Sequence, residues 1–82
     1  MFKIGDIITT YDGTEYLICA IVKYRGKEYA YVSNYQNTND CMICRVSIDG
    51  LTPVKNEDLF NRIMDTLIEN IDFNGIVNNI KQ

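Results

Sequence analysis

The chain contains no histidine and no tryptophan, and it has one proline and three cysteines in 82 residues. Each shortage excludes something. Without histidine, the side chain that most often moves protons near neutral pH is missing, and so is the commonest metal-binding ring. The only serines, Ser33 and Ser47, lie in no nucleophile motif. Asp6, Asp12, Asp40, Asp49, Glu57 and Asp58 are spread along turns and a helix start, where carboxylates have local duties. We therefore expect a protein that is not an enzyme. The glycines at 5, 13, 26, 50 and 75 are isolated, so no phosphate-cradling loop is present. Positive charge is also scarce. Eight Lys and Arg stand against eleven Asp and Glu, for a net charge of −3. Neutralising phosphates needs the opposite balance, which argues against nucleic acid as a partner.

Long apolar runs are absent too. The longest, Leu17 to Val22, suits a buried strand and falls far short of the roughly 18 residues of a membrane span. The cysteine count is odd, and no charged-then-apolar leader opens Met1-Phe2-Lys3-Ile4-Gly5. These features predict a cytoplasmic protein with reduced thiols and no membrane contact. Cys41-Met42-Ile43-Cys44 has the C-x-x-C form, but it lies inside a strand pattern. A spacing of three sends its two sulfurs to opposite faces. Cys19 could add a third ligand and nothing supplies a fourth, so neither metal nor cofactor is expected.

What is present is a hairpin centred on Arg25-Gly26. A tight turn there pairs Tyr24 with Lys27, Val22 with Tyr29, Ala20 with Tyr31, Ile18 with Ser33 and Tyr16 with Tyr35. The other face pairs Lys23 with Glu28, Ile21 with Ala30, Cys19 with Val32 and Leu17 with Asn34. Upstream, Ile7 to Tyr11 is a β-branched strand that Asp12-Gly13 turns into the next one. That turn would place Thr9 opposite Tyr16, Ile7 opposite Ile18 and Ile8 opposite Leu17. After the polar loop 36–40, Cys41 to Ile48 alternates as a half-buried edge or near-edge strand. A second Asp-Gly turn at Asp49-Gly50 leads to Leu51-Thr52-Pro53-Val54, which Pro53 confines to a sheet edge.

A helix follows over about 57–70. Asn56 can cap it, and Glu57 and Asp58 complement its dipole. Leu59, Phe60, Ile63, Met64, Leu67, Ile68 and Ile71 repeat at three- and four-residue spacing and form one apolar stripe. Residues 71–82 carry Phe73, Ile76, Val77 and Ile80, again at helical spacing but with Gly75 among them. They are a second short helix or a docking segment. The sum is one domain over 1–82, of α+β class. A four- or five-stranded antiparallel meander over about 5–54, strongly twisted or partly barrel-like, packs against one C-terminal amphipathic helix. The expected core comprises Ile8, Leu17, Cys19, Ile21, Val32, Leu59, Phe60, Ile63, Met64 and Leu67. This choice lays the helix on the sheet face without tyrosines.

The tyrosines carry the functional expectation. All six fall within the first 35 residues, and the regular register gathers Tyr11, Tyr16, Tyr29, Tyr31 and Tyr35 on one face. Such rings are either cross-strand packing or contact area for a partner. The binding reading uses Tyr16, Tyr29, Tyr31 and Tyr35 for contact, with Arg25 and Lys27 as rim charges. The partner is a protein or a second copy of the chain. The alternative is single-stranded nucleic acid stacked on the same face.

Asp12-Gly13, Glu28-Tyr29, Ile43 with Arg45, and Leu51, Pro53 and Val54 before Glu57-Asp58 stand in an order similar to that of the YrzB-like family. These are small bacterial domains of unknown function. The resemblance covers most of residues 6–68 and implies the fold and no chemistry. The chain differs in being less acidic and richer in tyrosine. Small acidic domains of this kind also occur in phages and mobile elements, often as inhibitors of host proteins, which makes a host-protein inhibitor one expected form of the binding module.

Overall fold

The computed structural model describes residues 2–70. It contains strands β1 (Ile7–Thr9), β2 (Glu15–Tyr24), β3 (Lys27–Asn34), β4 (Cys41–Ser47) and β5 (Gly50–Pro53), then helix α1 (Glu57–Asn70). Every strand pairs antiparallel with its sequence neighbour, in the order β1-β2-β3-β4-β5. The chain is thus α+β, a five-stranded curled sheet with a C-terminal helix. The expected second helix or docking segment over 71–82 lies outside the described residues.

Local chemistry explains each element. Arg25 (φ 51°) and Gly26 (φ 80°) both adopt positive φ, as a two-residue turn between twisted strands requires. The Arg25 guanidinium lies 5.5 Å from the centre of the Tyr24 ring. The turn fixes the expected pairs from Tyr24–Lys27 to Ala20–Tyr31. The helix starts where its cap predicts. Asn56 Oδ1 accepts from the Leu59 N–H at 2.9 Å, and the Asn56 carbonyl accepts from the Phe60 N–H at 2.9 Å.

Two register changes overturn the expected sidedness. The first is a β-bulge between Ile18 and Ala20 that leaves Cys19 as the extra residue. Ile18 pairs with Val32, Leu17 with Ser33 and Tyr16 with Asn34, instead of Ser33, Asn34 and Tyr35 respectively. Side chains alternate with a period of two. One extra residue therefore moves Ile18 and Tyr16 to the face opposite Tyr29 and Tyr31. The second change is in the first hairpin. The Thr10 N–H donates to the Thr14 carbonyl at 2.9 Å, so three residues rather than two form the loop. Gly13 takes φ 87° there, and the Asp12 carboxylate accepts from the Thr14 N–H at 3.0 Å and from the Thr10 hydroxyl. Ile7 consequently faces Leu17, Ile8 faces Tyr16 and Thr9 faces Glu15.

The core is divided by the sheet. On the outer face Val22, Tyr29 and Ile43 pack with Ile63 and Leu67 of α1, with Ala20, Tyr24, Tyr31, Leu59, Phe60 and Met64 around them. On the inner face Ile18, Ala30, Val32 and Cys44 are buried among Phe2, Ile8, Tyr16, Ile21, Met42, Val46 and Leu51. The helix therefore covers the face that carries Tyr29 and Tyr31, the reverse of the expected choice. Of the expected core, Val32, Ile63 and Leu67 are buried, whereas Ile8, Leu17 and Ile21 are half-buried. Cys19 is exposed, because a bulge residue has no fixed place in the alternation. β4 lies next to the edge strand β5, the near-edge alternative of the expectation, but it is buried on both faces instead of one. It buries Ile43 outward and Cys44 inward, while Ile48 sits fully exposed in the following turn.

Candidate functional site

The curl of the sheet makes its inner face concave. A cleft of about 580 Å³ opens there, lined by residues from all five strands. Ile8, Tyr16, Val32, Met42 and Leu51 supply its apolar floor, and Phe2 closes one side. One rim is Thr9, Thr10 and Tyr11, at the end of β1. The other is Asp49, Gly50 and Pro53, around β5. The cleft is thus the gap between the first and last strands of a barrel that does not close. Tyr11 stands fully exposed at this rim.

Hydrogen bonding holds the upper end of the site. The Tyr16 hydroxyl donates to Asp40 Oδ2 at 3.1 Å, and Asn34 Nδ2 donates to the same oxygen at 3.2 Å. The Asn34 N–H donates to the Asp40 carbonyl at 2.7 Å, and Asn34 Oδ1 accepts from the Gln36 and Asn37 N–H groups. The loop after β3 is therefore anchored to the strand that presents Tyr16. The bond to the Asp40 carboxylate raises the Tyr16 phenol above its ordinary value. Burial raises the Cys44 thiol in the same way. Both groups keep their protons at neutral pH. The Asp12 carboxyl, beside Tyr11, is lowered from 3.8 to about 2 by its bonds to Thr10 and Thr14. It is anionic at every physiological pH.

The residues expected to form one tyrosine face are distributed over three places. Tyr29 is 5% exposed beneath α1. Tyr31 is half-buried beside it, with its phenol raised by a bond to the Cys41 thiol and by burial. Arg25 and Lys27 line a groove at the start of α1 together with Tyr29, and with Tyr24, Asp58 and Arg62, so these three expected residues do meet. Tyr16 lies on the inner face, and Tyr35 is exposed beyond the end of β3. The hairpin tip and Tyr16 are roughly 26 Å apart along β2, at about 3.3 Å per residue. Tyr29 and Tyr31 therefore offer no open stacking platform next to Tyr16. The sequence reading missed the cleft because its floor comes from alternate positions on the other side of the bulge. One signal pointed to it: Met42, Cys44 and Val46 alternate on a strand that also buries Ile43, so β4 needs cover on both sides. Among the described residues, no group of three or more cysteine, aspartate or glutamate side chains is arranged to hold a metal ion. No described helix is long and apolar enough to cross a membrane. Comparison with family models, with curated proteins and with solved structures finds no match for this chain.

Proposed function

We propose that the chain is a non-catalytic protein-binding module whose contact surface is the inner cleft of the half-barrel. The observation that carries this reading is the cleft itself, an apolar concavity with five half-buried side chains, Phe2, Ile8, Tyr16, Met42 and Leu51, turned toward it. Leaving such a surface wet forgoes about 25 cal/mol per Å² of apolar area, and an apolar hollow with a polar rim is the usual form of a docking site. Tyrosine keeps a part in the reading through Tyr11 and Tyr16, which line the cleft, in place of Tyr29 and Tyr31. The titratable groups of the cleft support binding over chemistry. Tyr16 and Cys44 are both moved away from neutrality, so neither is poised as a nucleophile or base at pH 7. A stoichiometric inhibitor of another protein is one form such a module takes.

The test is affinity capture from the cells that make the protein, with immobilised parent chain, Leu51→Asp and Tyr35→Ala. Thermal melts of all three guard against unfolding. A partner held by the parent and by Tyr35→Ala, and lost with Leu51→Asp, is the expected result. A partner that Leu51→Asp retains at full yield removes the cleft from the reading.

A further inference from the structure

The strands alternate in direction, so β1 and β5, the first and last of five, point the same way. An up-and-down barrel closes on antiparallel neighbours only when its strand number is even. Five strands leave a seam that β1 and β5 cannot close in that manner. Resting on the cleft as a protein-binding surface, we propose that the seam takes a sixth strand. That strand is an extended apolar segment of a partner protein, flanked by lysine or arginine and antiparallel to both β1 and β5.

The backbone of both rims is set for this. The Ile18 N–H donates to the Asp6 carbonyl at 2.9 Å, and the Thr10 N–H to the Thr14 carbonyl at 2.9 Å. In an antiparallel ladder, alternate residues bond to the same neighbour. Ile8 therefore bonds to β2, and Ile7 and Thr9 direct their N–H and C=O groups to the seam. On the other rim the Val54 N–H donates to the Ile43 carbonyl at 2.8 Å. The same alternation gives Thr52 to β4 and turns the Leu51 N–H and C=O, with the Pro53 C=O, outward. Proline has no N–H to leave unpaired, so its place on this rim costs no donor. A strand added here gains main-chain bonds on both sides, and every second side chain enters the apolar floor.

Charge selects among occupants. Among the described residues, Asp49 is the one charged residue lining the cleft, and no lysine or arginine lines it. Asp12 adjoins the lining residue Tyr11 and stays ionised at all physiological pH. A segment with basic flanks complements this rim. A second copy would bring the same acids to the seam, from a chain that already carries −3. The chain's own Phe73, Ile76, Val77 and Ile80 are spaced for a helix and do not alternate as a strand does.

The experiment pans a phage-displayed library of random peptides on the full chain. The enriched peptides are then titrated into isotope-labelled protein, with amide exchange followed by NMR. Enriched sequences should alternate apolar residues between basic ends, and should slow exchange at Ile7, Thr9 and Leu51 by about tenfold or more. Methylating two alternate peptide nitrogens on the bonding edge should weaken binding by about tenfold or more, and methylating the intervening ones should not. Asp49→Lys should weaken the same peptides. No enrichment, or enrichment of acidic sequences, overturns the proposal. Binding that ignores methylation but is lost with Leu51→Asp overturns the strand and leaves the cleft reading intact. Binding that survives Leu51→Asp overturns both. A concentration-dependent dimer with protected Ile7 and Thr9 amides assigns the seam to a second copy. Slow exchange at these amides in the free monomer assigns it to the chain's own tail. Either result overturns the partner strand.

Discussion

The two faces of the sheet are built from the same kinds of residue and meet opposite fates. The outer face carries Val22, Tyr29 and Ile43, and α1 seals it with Ile63 and Leu67. The inner face carries Ile18, Ala30, Val32 and Cys44, which are as well buried. The ring of apolar side chains around them is left facing a cleft. The lesson is that burial and closure are separate properties. The curled sheet, with Phe2, buries the middle of the inner face and leaves the surrounding side chains half-buried. Stability should therefore be concentrated outside and binding inside.

The comparison breaks most completely if the extra residue of β2 is matched by one in β3. Inserting an alanine between Tyr31 and Val32 would give Cys19 a partner, run the regular alternation through Ile18–Val32 to Tyr16–Asn34, and carry Ile18 and Tyr16 to the outer face. Ile18 would lose its fully buried site, and Tyr16 its bond to Asp40. We expect a loss of more than about 3 kcal/mol, or failure to fold. A urea midpoint equal to the parent's would show that the bulge does not set the faces. Replacing the exposed thiol by serine keeps the backbone length and should change stability by less than about 0.5 kcal/mol.

The next effect sharpens the difference between faces. Tyr29→Ala and Ile63→Ala each open a cavity in the helix-sealed core, and each should cost about 3 kcal/mol in urea unfolding. Met42→Ala removes as many heavy atoms as Ile63→Ala, but from the cleft floor, where Met42 is only half-buried and water can fill the space. That loss should be about 1 kcal/mol. Equal costs for Ile63→Ala and Met42→Ala would mean that the inner face is sealed as tightly as the outer one.

These contrasts show which parts of the molecule were legible in the chain. The helix from Glu57 to Asn70 and its Asn56 cap follow from spacing and side-chain chemistry within four residues. The Arg25-Gly26 hairpin follows as far as Ala20–Tyr31 for the same reason. Beyond that point register depends on one residue. Nothing in Ile18-Cys19-Ala20 marks a bulge, since no glycine or proline stands there. Tyr29 and Tyr31 therefore share the face beneath α1, while Tyr16 lies on the other one. The Asp12-Gly13 turn was recognised, but the same two residues serve a two- or a three-residue loop. The choice shifted β1 by one position. The cleft was hidden because it combines the far sides of both errors.

That turn supplies the smallest effect and the most local one. In the fold the Asp12 carboxylate accepts the Thr14 N–H and the Thr10 hydroxyl, and it does so more strongly ionised than protonated, which is why its carboxyl sits at about 2 and not 3.8. A folded-state value below the unfolded one adds stability that is fully present above about pH 4. It is lost as pH falls through the folded value near 2. Asp12→Ala should therefore melt slightly lower than the parent at pH 6, and the gap should narrow between pH 4 and pH 2. Because the group is fully exposed, the change should be a few degrees at most, and smaller in high salt. The β1 rim of the cleft hangs on this loop through Thr10 and Tyr11. The same variant should accordingly loosen amide protection at Thr10 and Thr14 and leave Ile43 and Ile63 unchanged. Equal loosening on both faces would show that β1 is coupled to the helix-sealed core, and the division between a stable outer face and an adjustable inner one would not hold.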